Sequence, residues 1–261
     1  MKHSETNEPS NEIILFECVR EVGTQSGIDY SLFHEIVFSP DGDVELITES
    51  IHTYLNPNTV VFIPKGIYHQ IVIRGNLENY QRCRLLFEDI PELQTLFADS
   101  MSQLKVIQAN DRVNCLRQIL QDTDLTDAKG VAIARSSLTL LLNEISQNSE
   151  TECAYEVQNE VVRQAINYIK ENIDKKLTIG DIAKFCSTSE SALSHVFKRE
   201  MNQALYKYII QVRLTTAHQK ISEGMLAKIA AYACGFNDYA AFYRQYKKAF
   251  GFAPSQKKTT Y

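Results

Sequence analysis

The chain has 261 residues, long enough for two ordinary domains that each bury a core, and its formal net charge is −5. That value hides a division: residues 155–261 hold 16 Lys and Arg against 9 Asp and Glu, whereas the rest holds 11 against 23, so a polyanion attracts one part and repels the other. No stretch offers the roughly 18 apolar residues of a membrane span, and the start MKHSETNEPSNE lacks an apolar signal core, so the expectation is a cytoplasmic protein with no membrane partner.

Six cysteines, at 18, 83, 115, 153, 186 and 234, show no CxxC pairing and read as reduced, mostly buried thiols. After a polar lead over 1–11 come short runs with strand chemistry: 13–22, 30–38, 44–48, 60–63, 69–73 and 83–87. Turn signals punctuate them at Ser39-Pro-Asp-Gly42, Asn56-Pro-Asn58, Pro64-Lys-Gly66 and Arg74-Gly-Asn76. Many short strands of this kind predict a small antiparallel β-barrel.

The run from Asn58 through Pro64, Gly66 and His69 resembles the second motif of the cupin barrels, with Asn58 holding a left-handed turn where glycine is usual. In metal-binding cupins, that resemblance implies, the histidine is a ligand beside an H-x-H pair and a glutamate. Here the matching segment, Asp29 to Ile36, has Asp29 and Ser31 in place of the pair, so no metal and no cofactor is expected. A barrel mouth suits a small-molecule effector, and Phe33, His34, Tyr68 and His69 are its candidate lining.

From Pro91 the period lengthens. Leu93, Leu96, Phe97, Met101, Leu104 and Ile107 mark one helix, and Val113, Leu116, Ile119 and Leu120 a second. In the third, 127–147, Val131, Ala134, Leu138, Leu141 and Ile145 form a two-heptad seam that predicts a homodimer contact, with Leu140 and Leu142 as a second apolar flank. The polar stretch 146–152 reads as a linker, which divides the chain into 1–150, an effector-sensing and dimerisation domain, and 157–261, a DNA-binding domain.

The basic part contains a duplication. Laid over each other, Ile182-Ala183 falls on Ile229-Ala230, Phe197 on Tyr246, Arg199 on Lys248 and Asn202 on Gly251, with the second copy two residues longer in the middle. Each copy reads as a helix-turn-helix. Thr178, Ser189 and Asp238 are the predicted N-caps, and the breaker-free helix from Leu205 to Ile221 joins the units. Candidate contacts to double-stranded DNA are Ser191, Ser194, His195, Lys198 and Arg199 on the first recognition helix, with Tyr239, Tyr243, Arg244 and Lys247 on the second.

Arg213-Leu-x-x-Ala217, Ile229-Ala230, Gly235-Phe-Asn-Asp238, Phe242-x-Arg244-x-Tyr246-Lys-Lys248, Gly251 and Pro254 together resemble the signature of the AraC/XylS family of bacterial transcription regulators. The resemblance covers about the last hundred residues. It implies an α+β chain with a cupin-like barrel followed by helices, then an all-α domain with two helix-turn-helix units. It also implies a sequence-specific, non-enzymatic regulator, with RNA polymerase as a further partner if it activates. A protein partner acting on the barrel, or a cupin-type enzyme tethered to DNA, are the alternative readings. His195 stands where arginine is frequent, and Ala240-Ala241 replace a usual Ser and a usual aromatic, which thins the second reading face.

Overall fold

The computed structural model describes residues 13–20, 29–30, 33–39, 44–49, 51–73, 81–148, 156–157 and 159–255. The polar lead, the turn tips at 40–43 and 74–76, Ser31, Cys153 and the centre of the linker lie outside them.

Among the described residues, ten strands, all antiparallel to their neighbours, form two five-stranded sheets. The first joins β1 (Ile13–Arg20), β8 (Gln81–Phe87), β3 (His34–Ser39), β6 (Thr59–Ile63) and β9 (Lys105–Gln108) in that order. The second joins β10 (Glu156–Val157), β5 (Ile51–Leu55), β4 (Val44–Thr48), β7 (Tyr68–Ile73) and β2 (Asp29–Tyr30). The α+β class is as expected. The single closed barrel is not, since the strands divide into two sheets, each with its own edges.

Alternation along the strands sorts the core into layers. Ile36, Phe38, Val60, Phe62, Leu85 and Phe87 leave the first sheet toward α1 (Pro91–Met101), α2 (Asp111–Gln121) and α3 (Ala128–Gln147). Val37, Val61, Ile63 and Val106 leave its other face and meet Val44, Leu46, Leu55 and Ile71 of the second sheet. The outer face of the second sheet carries Tyr68, which packs into the C-terminal helices.

Two helical expectations change. The first helix stops at Met101, with Ser102 as its C-cap, and Ile107 belongs to β9, which pairs with β6. Three-residue spacing over a short apolar run did not distinguish the two. The α3 seam is also used within the chain: Ala134, Leu138, Leu141 and Ile145 are buried in the core formed with the first sheet, α1 and α2, as is Leu142. A helix lying across a sheet buries a seam of that spacing as well as a coiled-coil partner does. Of the seam only Val131 is partly exposed, while Ile133 and Leu140 (55% exposed) point outward.

Cys18 and Cys83 form a disulfide, which corrects the expectation of reduced thiols for this pair. The antiparallel register sets them directly opposite on β1 and β8, although 65 residues separate them in sequence. Cys115, Cys186 and Cys234 are free.

The C-terminal helices are α4 (Glu160–Glu171), α5 (Ile179–Phe185), α6 (Glu190–Met201), α7 (Leu205–Ser222), α8 (Ala227–Ala233) and α9 (Tyr239–Phe250). No described helix is long and apolar enough to cross a membrane.

Candidate nucleic-acid interface and inter-domain cleft

Helices α5–α6 and α8–α9 form two helix-turn-helix units, and the predicted caps hold. Thr178 Oγ1 accepts from the Asp181 N–H at 3.1 Å, and Ser189 Oγ from that of Ala192 at 3.2 Å. Asp238 accepts from the N–H groups of Ala240 and Ala241 at 2.9 and 3.2 Å. Asn202 and Gly251 end the two recognition helices in the left-handed conformation, with φ of 49° and 80°.

The register of the duplication needs one correction. The buried side of α5 is Ile182, Ala183 and Cys186, and that of α8 is Ala230, Ala231 and Cys234, so Ile182 corresponds to Ala230 and not to Ile229. Backbone bonds agree: Thr188 N–H donates to Ala183 O at 2.9 Å, and Phe236 N–H to Ala231 O at 3.1 Å. The turns match too, with positive φ at Ser187 (54°) and Gly235 (77°). From the caps onward the correspondence of the recognition helices stands as expected, so the second unit is longer by one residue, Asn237. Ile229 (53% exposed) and Leu226 (71%) thereby occupy the positions of Asp181 and Thr178, and an apolar pair replaces a capping box.

Ser191, His195, Lys198 and Arg199 are exposed on α6 with Ser194 half-buried. On α9, Tyr243, Arg244 and Lys247 are exposed and Tyr239 is half-buried. The opposite sides are anchored by Leu193 and Phe197 in α6 and by Phe242 and Tyr246 in α9, all fully buried. Arg199 donates through Nε and Nη2 to Glu200 Oε1 at 2.8 and 2.6 Å, which partly neutralises it, whereas Lys198 and Arg244 point to solvent. Cationic and short polar groups on one helix face are the chemistry that meets phosphates and base edges.

Helix α7, 18 residues and about 27 Å long, joins the two units and contributes to both cores. Arg213 on it donates from Nη2 to Lys175 O at 2.7 Å, in the loop between α4 and α5. The turn of the second unit packs against the same place. A Cβ at Gly235 would lie 2.5 Å from Ile173 O and 2.8 Å from Arg213 Nη2, so glycine is required there by both φ and space.

The four expected effector residues do not converge, because neighbouring residues on a strand face opposite sides. Tyr68 points away from the sandwich into the C-terminal helices. His69 points between the sheets, with Nε2 3.2 Å from Glu35 Oε2 and both groups buried. His34 points toward the helical layer, stacked on Phe62 and Phe87. Its Nδ1 accepts the Lys65 backbone N–H at 3.3 Å, so Nε2 carries the proton and donates to Asp89 Oδ1 at 2.9 Å. Burial first, and the Lys65 charge second, lower the His34 pKa to about 4, so the ring is neutral at physiological pH. Among the described residues no group of three or more His, Cys, Asp or Glu side chains is placed to hold a metal ion.

Of the four, Phe33 lines a cavity of about 820 Å³ between the ends of the inner strands β3, β6 and β8 of the first sheet and the second helix-turn-helix unit. Lys65, Glu88 and Asp89 supply its polar wall, with Lys65 paired to Asp89. Burial lowers the Lys65 pKa, opposed by the Glu88 charge. Met225, Leu226 and Phe252 supply an apolar wall beside His218, which is bonded to the Tyr246 hydroxyl. Sequence reading missed Lys65, Asp89, His218 and Leu226 as a group, since nothing local relates residues so far apart.

Comparison with known proteins places the similarity where this geometry lies. The family described as "Helix-turn-helix domain" matches residues 182–259. The melibiose operon regulatory protein of Escherichia coli K12 is 22% identical over 237 residues, 83% of this chain and 78% of that one. The Msm operon regulatory protein of Streptococcus mutans is 32% identical over 107 residues, 39% of this chain and 38% of its own. Among solved structures, ToxT from Vibrio cholerae aligns over 93% of this chain and 97% of its own, at 13% identity and a TM-score of 0.44.

Proposed function

We propose that the chain is a DNA-binding transcription regulator of the AraC/XylS family, sequence-specific, non-enzymatic and cytoplasmic, whose two recognition helices enter successive major grooves of one duplex. The observation that carries this is the pair of exposed cationic reading faces, α6 and α9, held by α7 and the Arg213–Lys175 bond in a region of 16 Lys and Arg against 9 Asp and Glu. A salt titration of full-chain binding to a duplex selected from random DNA, with scrambled DNA as control, tests it. A steep salt slope with strong preference for the selected duplex is expected, and a steep slope without preference would reduce the basic region to an electrostatic anchor.

The control element in this reading is a small organic effector in the cleft, its polar end toward Lys65 and Asp89 and its apolar body on Phe33, Leu226 and Phe252. A metabolite panel that includes sugars and fatty carboxylates, scored by thermal shift of the full chain, tests this. An effector raises the midpoint of the wild type and not of Leu226→Glu. An equal rise in both places the ligand elsewhere. The domains run over 1–150 and 157–261, and self-association uses the outer face of α3, where Ile133 and Leu140 are exposed, so Leu140→Glu shifts sedimentation from dimer to monomer.

A further inference from the structure

The first helix-turn-helix unit does not close its own core. Tyr68, from strand β7 of the N-terminal sandwich, is fully buried among Ile166, Phe197, Met201 and Tyr208. Its ring stands edge-on to Tyr208 at 5.9 Å, and Tyr208 lies 5.4 Å from Phe197, the inward anchor of α6. Its hydroxyl donates to Met201 O at 3.1 Å. Met201 is the last residue of α6, so this carbonyl is one of those a helix cannot satisfy by itself. Burial, and then the charge of Glu49, hold the Tyr68 phenol well above its ordinary range, so it remains a donor. Glu49, in the turn between β4 and β5, accepts from the Tyr208 hydroxyl at 2.7 Å and pairs with Lys170 of α4. Two neighbouring strand ends of one sheet thus grip α4, α6 and α7 together.

Among the described residues, the hydrophobic core of the second unit is drawn from α7, α8, α9 and the segments that follow them. Tyr246, the counterpart of Phe197, is enclosed by Phe242, Phe250 and Phe252 of its own unit.

We propose that Tyr68 and Glu49 are positioning residues for DNA recognition, acting through α6: the sandwich completes the first reading head and leaves the second autonomous. The grip lies on the inward side and C-terminal end of α6, while Ser191, His195, Lys198 and Arg199 stay exposed. It therefore orients the reading face and does not cover it. This inference rests on the DNA-binding reading above.

The test is a set of double-mutant cycles with the full chain, on a duplex selected from random-sequence DNA by the wild type. Tyr68→Phe keeps the ring and removes one hydrogen bond; Glu49→Gln keeps the size and removes the charge at the rim. In the wild type, Lys198→Ala and Arg244→Ala each weaken binding about tenfold. In either Tyr68→Phe or Glu49→Gln, the Lys198→Ala penalty is expected to fall to about two- to threefold, with the Arg244→Ala penalty unchanged. General destabilisation would reduce both penalties alike, so selective loss at Lys198 is the signature of positioning. Penalties at Lys198 that stay tenfold in both backgrounds, or that fall equally at both sites, overturn the proposal. Failure of the wild type to prefer any duplex would instead overturn the DNA-binding reading and leave this one without a premise.

Discussion

The two helix-turn-helix units share one backbone and differ in what surrounds it. Both turns place a residue at positive φ, both recognition helices begin at a side-chain cap, and both end in a left-handed residue. Yet the first unit buries Ile182 where the second buries Ala230, caps α5 with Thr178 where the second exposes Leu226, and receives Tyr68 from strand β7 of the N-terminal sandwich. The second fills its core with its own aromatics and turns its apolar Leu226 edge toward the cleft. The two units share main-chain geometry because it is fixed by local hydrogen bonds and φ. Their side chains differ as their neighbours do.

The largest expected effect separates the two turns. Gly235→Ala combines φ of 77° with a Cβ 2.5 Å from a backbone oxygen, and should cost about 3 kcal/mol or more in chemical denaturation. Ser187→Gly, at the matching position with φ of 54°, should be neutral or stabilise by about 0.5–1 kcal/mol. Equal costs at the two sites would end the equivalence of the turns.

Next in size is acid sensitivity at His34, whose hydrogen-bond partner Asp89 lines the cleft. The folded pKa of His34 lies near 4, below its ordinary 6.5, so as pH falls the unfolded chain takes up the proton first. The stability contributed is complete above about pH 6.5 and is lost as pH falls toward 4, by up to about 3 kcal/mol. Urea midpoints between pH 7 and 4 should show this slope, and His34→Gln should flatten it.

Arg244→Ala should weaken specific DNA binding by about 1–3 kcal/mol if Arg244 reads a guanine, and lower binding evenly across sequences if it meets phosphate. Titration on matched and mismatched duplexes distinguishes the two, and unchanged binding would remove α9 from the interface.

The smallest effect belongs to the first unit. Gln203 follows the α6 cap, is buried, and among the described residues neither its Nε2 nor its Oε1 has a hydrogen-bond partner. Gln203→Met removes that desolvation cost at similar volume and should raise stability by about 1 kcal/mol in thermal denaturation.

Much of the C-terminal architecture was legible because its rules are short-range. Thr178, Ser189 and Asp238 announced helix starts, and Asn202 and Gly251 announced ends, each through a side chain or φ that acts within one turn. Strands β4, β6, β7 and β8 were legible from β-branched and aromatic runs between turns. Strand β5 was missed because Ile51–Leu55 carries His, Thr and Tyr in place of a continuous apolar run. Strand β9 was hidden inside a helical spacing that only its pairing with β6 resolves. In the duplication, Ile229 matched Ile182 by identity, while burial shows that Ala230 is the counterpart. Residue type did not reveal which side of a short helix faces inward.

By itself, then, the sequence determined the charge division, the two units, their caps and the α7 rod, all of which follow from composition or from interactions within about four residues. Tertiary structure alone decided that α3 spends its seam on the first sheet, that Cys18 meets Cys83, and that strand alternation sends Tyr68, His69 and His34 into three different layers. It alone also decided that Tyr68 reaches Met201 and Tyr208 reaches Glu49, across sequence separations of 133 and 159 residues. Those contacts depend on how whole layers stack, and no local pattern encodes the register of one domain against another.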